Sequence, residues 1–100
     1  MRMEKHTPHY KLAVVKSLLR QGQVRKTATA LLGAAALGID EMEMVAVVAS
    51  LSSADFCKSM TTRDDHRIWQ DVYRPATRYG VLYVKLTVLD DVLIVSFKEN

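Results

Sequence analysis

The feature that most constrains this chain is a pair of strand-like segments near its C-terminal end. Val81–Leu89 and Val92–Phe97 are joined at Asp90-Asp91. An antiparallel hairpin centred on those aspartates pairs residues whose numbers sum to 181. Leu82, Val84, Leu86 and Val88 then oppose Glu99, Phe97, Val95 and Leu93, which makes one face apolar up to its frayed end. The other face sets Thr87 against Ile94, Lys85 against Ser96 and Tyr83 against Lys98. A slip of one residue would exchange the two faces completely. Directly opposed residues have Cβ atoms ~4.5–5.5 Å apart, so the pattern predicts a phenol beside an ammonium on the polar face.

With 100 residues, 49% of them hydrophobic, the chain has the length and the apolar content for one domain with one core. The only cysteine, Cys57, has no internal disulfide partner, which fits a reducing compartment. Met1–Lys11 is polar and basic with no apolar stretch behind it, so no signal peptide is expected. The longest apolar run, Met44–Ala49, falls far short of the ~20 residues that cross a bilayer. These features predict a soluble cytoplasmic protein with no membrane contact. Charge is uneven: residues 1–26 carry seven basic side chains against Glu4 alone, and residues 27–57 carry only acids. A basic section of this kind suits a polyanion such as nucleic acid, or else a solvated helix face.

Three helices are predicted from the first half. Thr7-Pro8 has the form of a helix start, with Thr as N-cap and Pro at the first helical position. Leu12, Val15, Leu18 and Leu19 follow at helical spacing, and Gly22 supplies the stop. A second helix runs from about Thr27 to Leu37 before Gly38, and Asp40 with Glu43 has capping-box spacing ahead of a third over Met44–Leu51. The period then changes to two. Asp65–Tyr73 reads as a strand with Ile68, Gln70 and Val72 on one face and Trp69 and Tyr73 on the other, the latter face expected in the core. Helices followed by strands predict an α+β fold, with the helices (about 7–51) packed on one face of a C-terminal antiparallel sheet (about 65–99). The apolar hairpin face is the covered one, and Tyr83, Lys85 and Lys98 face solvent or a ligand.

Three strings carry a family resemblance. Residues 55–62 (Asp55-Phe56-Cys57-Lys58-Ser59-Met60-Thr61-Thr62) form the first. Residues 65–75 (Asp65-His66-Arg67-Ile68-Trp69-Gln70-Asp71-Val72-Tyr73-Arg74-Pro75) form the second, and Val92–Glu99 the third. Together they closely resemble the MqsR family of motility quorum-sensing regulator toxins, over almost the whole chain. Glu4-Lys5-His6-Thr7-Pro8-His9 resembles the family's beginning, which makes Met3 an alternative start to Met1. Cys57 departs from the pattern, standing where an aromatic is expected, and so does the segment Ala76–Tyr79.

The resemblance implies a compact RelE/YoeB-like fold and an endoribonuclease that cuts mRNA at short GC-containing sites. It implies a cognate antitoxin, MqsA-like, zinc-containing and DNA-binding, so that DNA is met only indirectly. By the family's pattern, the cleavage residues are Lys58, Gln70, Tyr83 and Lys98. RNA can be cut without a metal when the 2′-hydroxyl attacks the neighbouring phosphate; no cofactor is expected. Lys58 and Lys98 would hold the phosphate, Gln70 a phosphate oxygen or base edge, and Tyr83 the 2′-hydroxyl. A positive neighbour lowers a lysine's pKa, so one of Lys58 and Lys98, with Lys85 nearby, is expected to work partly deprotonated. Lys85, His66, Arg74 and His9 are further candidates for substrate contact, His66 because imidazole titrates near neutrality and shares the predicted strand face with Gln70. Two other readings compete: a non-catalytic RNA- or partner-binding module of the same fold, and a metal-dependent hydrolase built on Asp64, Asp65 and His66.

Overall fold

The computed structural model describes residues 2–100, so Met1 lies outside the described residues. The fold is α+β. Three helices, α1 (Leu12–Arg20), α2 (Ala28–Ala36) and α3 (Glu41–Ala49), precede most of the sheet. The strands are β1 (Glu4–Lys5), β2 (Val24–Lys26), β3 (Phe56–Thr61), β4 (Trp69–Tyr73), β5 (Ala76–Thr77), β6 (Gly80–Val88) and β7 (Val92–Glu99). Their order is β1-β3-β4-β6-β7-β2, with β5 paired to β6 beside this path. All pairings are antiparallel except β2 with β7. The sheet thus begins at Phe56 rather than near residue 65, and its two outer strands come from the N-terminal part of the chain.

Two of the three helices carry side-chain N-caps, α3 at the Asp40–Glu43 spacing that the sequence predicts. The Thr27 side chain accepts from Ala30 N at 3.0 Å, and Asp40 accepts from Glu43 N at 2.9 Å. Gly22 and Gly38 end α1 and α2 in the left-handed region, at φ +73° and +72°. The first helix does not start at Thr7-Pro8; it starts at Leu12, with Lys11 as N-cap. Residues ahead of it are claimed by the sheet. Glu4 and Lys5 pair with Met60 and Ser59, and the buried Asp71 carboxylate accepts from the backbone N–H groups of His9 and Tyr10. Those tertiary bonds to a buried charge outweigh a local capping preference.

The main core lies between the helices and the sheet. Val15, Ala30, Ala34, Met44 and Val48 from the helices meet Leu82, Val84, Leu86, Val92, Ile94 and Phe97 from the hairpin, all nearly inaccessible. α2 approaches β7 so closely that a Cβ on Gly33 would come within 2.1 Å of the Phe97 carbonyl oxygen.

The hairpin register holds at one end and shifts at the other. Leu82↔Glu99, Tyr83↔Lys98, Val84↔Phe97 and Lys85↔Ser96 follow the predicted sum. Leu86 then pairs with Ile94, Thr87 with Leu93 and Val88 with Val92, so Val95 is an extra residue in β7. This bulge puts Ile94 and Val92 in the core instead of Val95 and Leu93, because one extra residue shifts the alternation of β7 by a single step. A second bulge lies at Cys57, between Phe56↔Tyr73 and Lys58↔Val72.

Candidate functional site

The face away from the helices is built by register. Lys58 pairs with Val72, Val72 with Lys85, and Lys85 with Ser96, which makes one row across β3, β4, β6 and β7. Paired residues share a face, and Lys85 alternates with the core residues Val84 and Leu86, so this row is the uncovered one. Met60 and Val72 are buried on it, yet stand apart from the helix-side core cluster. One step along β6 and β7 lies the pair Tyr83 and Lys98, with the Lys98 ammonium 5.2 Å from the Tyr83 ring centroid. The phenol and ammonium predicted from the alternation are therefore neighbours.

Both lysines taken from the family's pattern depend on a bulge. Phe56 faces the core, where it meets Tyr73 edge-on, with ring centroids 5.5 Å apart. Without the extra residue Cys57, Lys58 would share that side; the bulge turns it to the uncovered face. Likewise Ile94 faces the core, and the extra Val95 turns Ser96 and Lys98 outward while Phe97 points in. The sequence offers no direct sign of either irregularity.

Lys58 is not a lone cation. Its Nζ lies 3.0 Å from Glu4 Oε1, on the edge strand β1. The Lys58 hydrogen bond and charge hold the Glu4 carboxyl below its ordinary pKa. Lys85 sits at the middle of the face. Burial, and then the charges of Lys98, Arg2 and Lys58, lower its pKa from the ordinary lysine value. Lys85, the residue flanked by other cations, thus has a lowered proton affinity. Arg2 and Glu4 were missed by sequence reasoning. A two-residue strand has no periodicity to reveal which face its residues join.

Gln70 is on the same face, paired with Met60. Continuing the β4–β6 register puts it on the far side of Lys85 from Tyr83, about 13 Å along the strands. It does not meet Tyr83 at one atom; the two flank Lys85. Arg74 is exposed and, by the same register, level with Tyr83. His66 does not share a strand face with Gln70, because β4 begins only at Trp69. Residues 65–67 instead form a turn in which Asp65 accepts from Arg67 N and Arg67 Nε at 2.9 and 3.0 Å. That arginine occupies Asp65, and among the described residues no group of three or more His, Cys, Asp or Glu is placed to hold a metal ion. His9 lies on the opposite side of the sheet, where its ring stacks on Trp69. Trp69 itself is half-buried beside the core instead of within it. No helix among the described residues is long and apolar enough to cross a membrane.

Chemically, the uncovered face gathers cations and one phenol over a floor of Val72 and Met60. A surface of this charge suits a polyanion. Residues 7–99 match the family described as motility quorum-sensing regulator, toxin of MqsA. The mRNA interferase toxin MqsR of Escherichia coli (strain K12) is 59% identical over 98 residues, covering 98% of this chain and 100% of that protein. A match over that length, with the cationic face built as described, means that the chain belongs to the MqsR toxin family.

Proposed function

We propose that this chain is a metal-independent endoribonuclease, an mRNA interferase toxin that cuts mRNA at short GC-containing sites. The observation that carries the reading is the Tyr83–Lys98 pair beside Lys85 and Lys58 on one uncovered sheet face. The relative named an mRNA interferase toxin supports it along the full length. In the proposed reaction a base removes the 2′-hydroxyl proton, the 2′-oxygen bonds to phosphorus, and the 5′-oxygen leaves and is protonated. The products are a 2′,3′-cyclic phosphate and a 5′-hydroxyl. Lys85, whose proton is held less tightly than an ordinary lysine's, serves as the base. Tyr83 orients the 2′-hydroxyl, Lys98 and Lys58 stabilise the charge on phosphorus, and Gln70 contacts a base edge further along.

The partner is an MqsA-type antitoxin that carries zinc and binds DNA, through which alone this chain meets DNA. Both act in the cytoplasm. Incubating purified protein with single-stranded RNA in EDTA tests the reading. Cleavage with 2′,3′-cyclic phosphate ends is expected. Bound but intact RNA would instead mark a non-catalytic module, and cleavage abolished by EDTA would return the case to Asp64, Asp65 and His66.

A further inference from the structure

The strands that hold Glu4 and Gln70 on the uncovered face hold Lys5 and Trp69 on the reverse, since neighbouring strand residues point to opposite sides. On that reverse side, residues 6–11 run across the sheet ahead of α1. The Asp71 carboxylate, fully buried, takes the His9 N–H at 3.1 Å and the Tyr10 N–H at 3.0 Å. So pinned, the His9 ring lies on Trp69, with centroids 5.2 Å apart and planes 13° from parallel. Lys5 Nζ stands 4.3 Å from the Trp69 ring centroid and 2.9 Å from His9 Nδ1. An ammonium can only donate, so Nδ1 accepts and the ring proton sits on Nε2. Burial and the Lys5 charge lower the His9 pKa, which keeps that lone pair available to Lys5. His9 is nonetheless an exposed residue.

Anchoring the N-terminal segment does not require this arrangement. Asp71 and the β1–β3 pairing already achieve it. What the stack adds is a fixed aromatic layer at the surface with a cation at its edge, the combination that holds single-stranded nucleic acid without sequence preference. Imidazole belongs to the ring types on which unpaired RNA bases stack.

We propose that Lys5, His9 and Trp69 form a second RNA subsite, in which an unpaired base lies on His9 as a third layer over Trp69 and Lys5 attracts the adjoining phosphate. The subsite rests on RNA being the substrate. It takes nucleotides outside the cleavage site. β1 is the sheet edge and β4 lies two strands in, about 10 Å, so an RNA leaving Gln70 reaches the stack by rounding a two-residue strand.

The chain has one tryptophan, so its emission reports on the stack directly. The probe is 2′-O-methyl RNA, which cannot be cut, as a short oligonucleotide spanning only the uncovered face and as a longer one. The longer RNA should bind more tightly and change Trp69 emission; the short one should leave emission unchanged. His9→Ala should reduce the affinity advantage of the longer RNA by ~5–100-fold, the range for removing one base-stacking ring. His9→Phe should retain most of that advantage. If His9→Ala fails to fold, the wild-type emission still decides. Unchanged emission with the longer RNA, or equal length dependence in His9→Ala and wild type, would overturn the subsite. Loss of the advantage in His9→Phe as well would overturn stacking as its basis. A wild-type protein that shows the length effect but never cuts unmodified RNA would refute the proposed cleavage and leave the subsite standing.

Discussion

The Thr27 hydroxyl donates to the carbonyl of Val95 at 2.7 Å. Val95 is the extra residue of the bulge that turns Lys98 to the uncovered face, and Thr27 is at the same time the N-cap of α2. One side chain therefore ties the start of a helix to the irregularity that aims a candidate catalytic lysine. Thr27→Val should lose ~0.5–2 kcal/mol through the missing cap and also slow RNA cleavage. Thr27→Ser, which keeps the hydroxyl, should preserve both. Denaturant melts and cleavage assays on the two variants provide the check, and equal cleavage by both would detach Thr27 from Lys98.

Tyr83→Phe and Lys98→Ala act on the proposed chemistry alone. Each should cut cleavage at least tenfold, a floor set below the ~10²–10⁴-fold that a positioned proton-transfer group typically supplies. Each should shift the thermal midpoint by no more than a few degrees, because changes on an uncovered face usually stay within about 0.5 kcal/mol. If Tyr83→Phe unfolds the protein, the assignment of faces is wrong.

The bulge itself can be tested by stability. Ile94→Ala, like Val84→Ala or Phe97→Ala, should lose ~2–5 kcal/mol by opening a cavity in the core. Leu93→Ala, on the half-exposed side, should lose much less. The unbulged register requires the reverse order, so the two melts decide between them.

Lys85 carries a pH signature. Its lowered pKa means that the folded chain releases the proton at a lower pH than the unfolded chain, where the value is 10.5. Between the two values the unfolded state binds more protons, so stability rises with pH there, and at neutral pH the charge is a standing cost. Lys85→Met should therefore raise stability at neutral pH and flatten that alkaline rise. It should also remove the limb that Lys85 deprotonation contributes to the pH–rate profile between neutral pH and the ordinary lysine value of 10.5. Melts and rates across that range test both; a variant less stable than wild type at neutral pH would contradict the sign.

Gly33→Ala should be costly despite the usual helix benefit of alanine. The new methyl would collide with the Phe97 carbonyl oxygen, 2.1 Å away, and meet Lys98 Cβ at 3.3 Å. Overpacking of this kind costs ~1–3 kcal/mol, and displacement of β7 should also lower cleavage. Calorimetry and cleavage assays should show both losses together.

Strict alternation made much of this legible from sequence. Tyr83, Lys85 and Lys98 fall on the uncovered face because Leu82, Val84 and Phe97 must be buried. The Asp40 cap and two glycine stops were equally plain, since their chemistry is local. Three features were not legible, and each is non-local. The bulges at Cys57 and Val95 have no compositional mark, so a single register predicted Val95 and Leu93 inside where Ile94 and Val92 are found. The outer strands β1 and β2 are too short to show a period. Asp71 reads as one polar residue in a strand, yet it holds residues 9 and 10 out of the helix and puts His9 on the reverse side.

The outer strands also impose an order of assembly. Thr27 and Val95, which the sheet brings together, lie 68 residues apart in the chain. Long-range pairings pay their loop-closure entropy before any contact rewards it, so they form late. During synthesis β7 leaves the ribosome after every other strand, and until then β2 and α2 have no surface on which to close. A nascent chain short of that point lacks the strand that sets Lys98 beside Tyr83, so the proposed cleavage face is absent from it until β7 has paired.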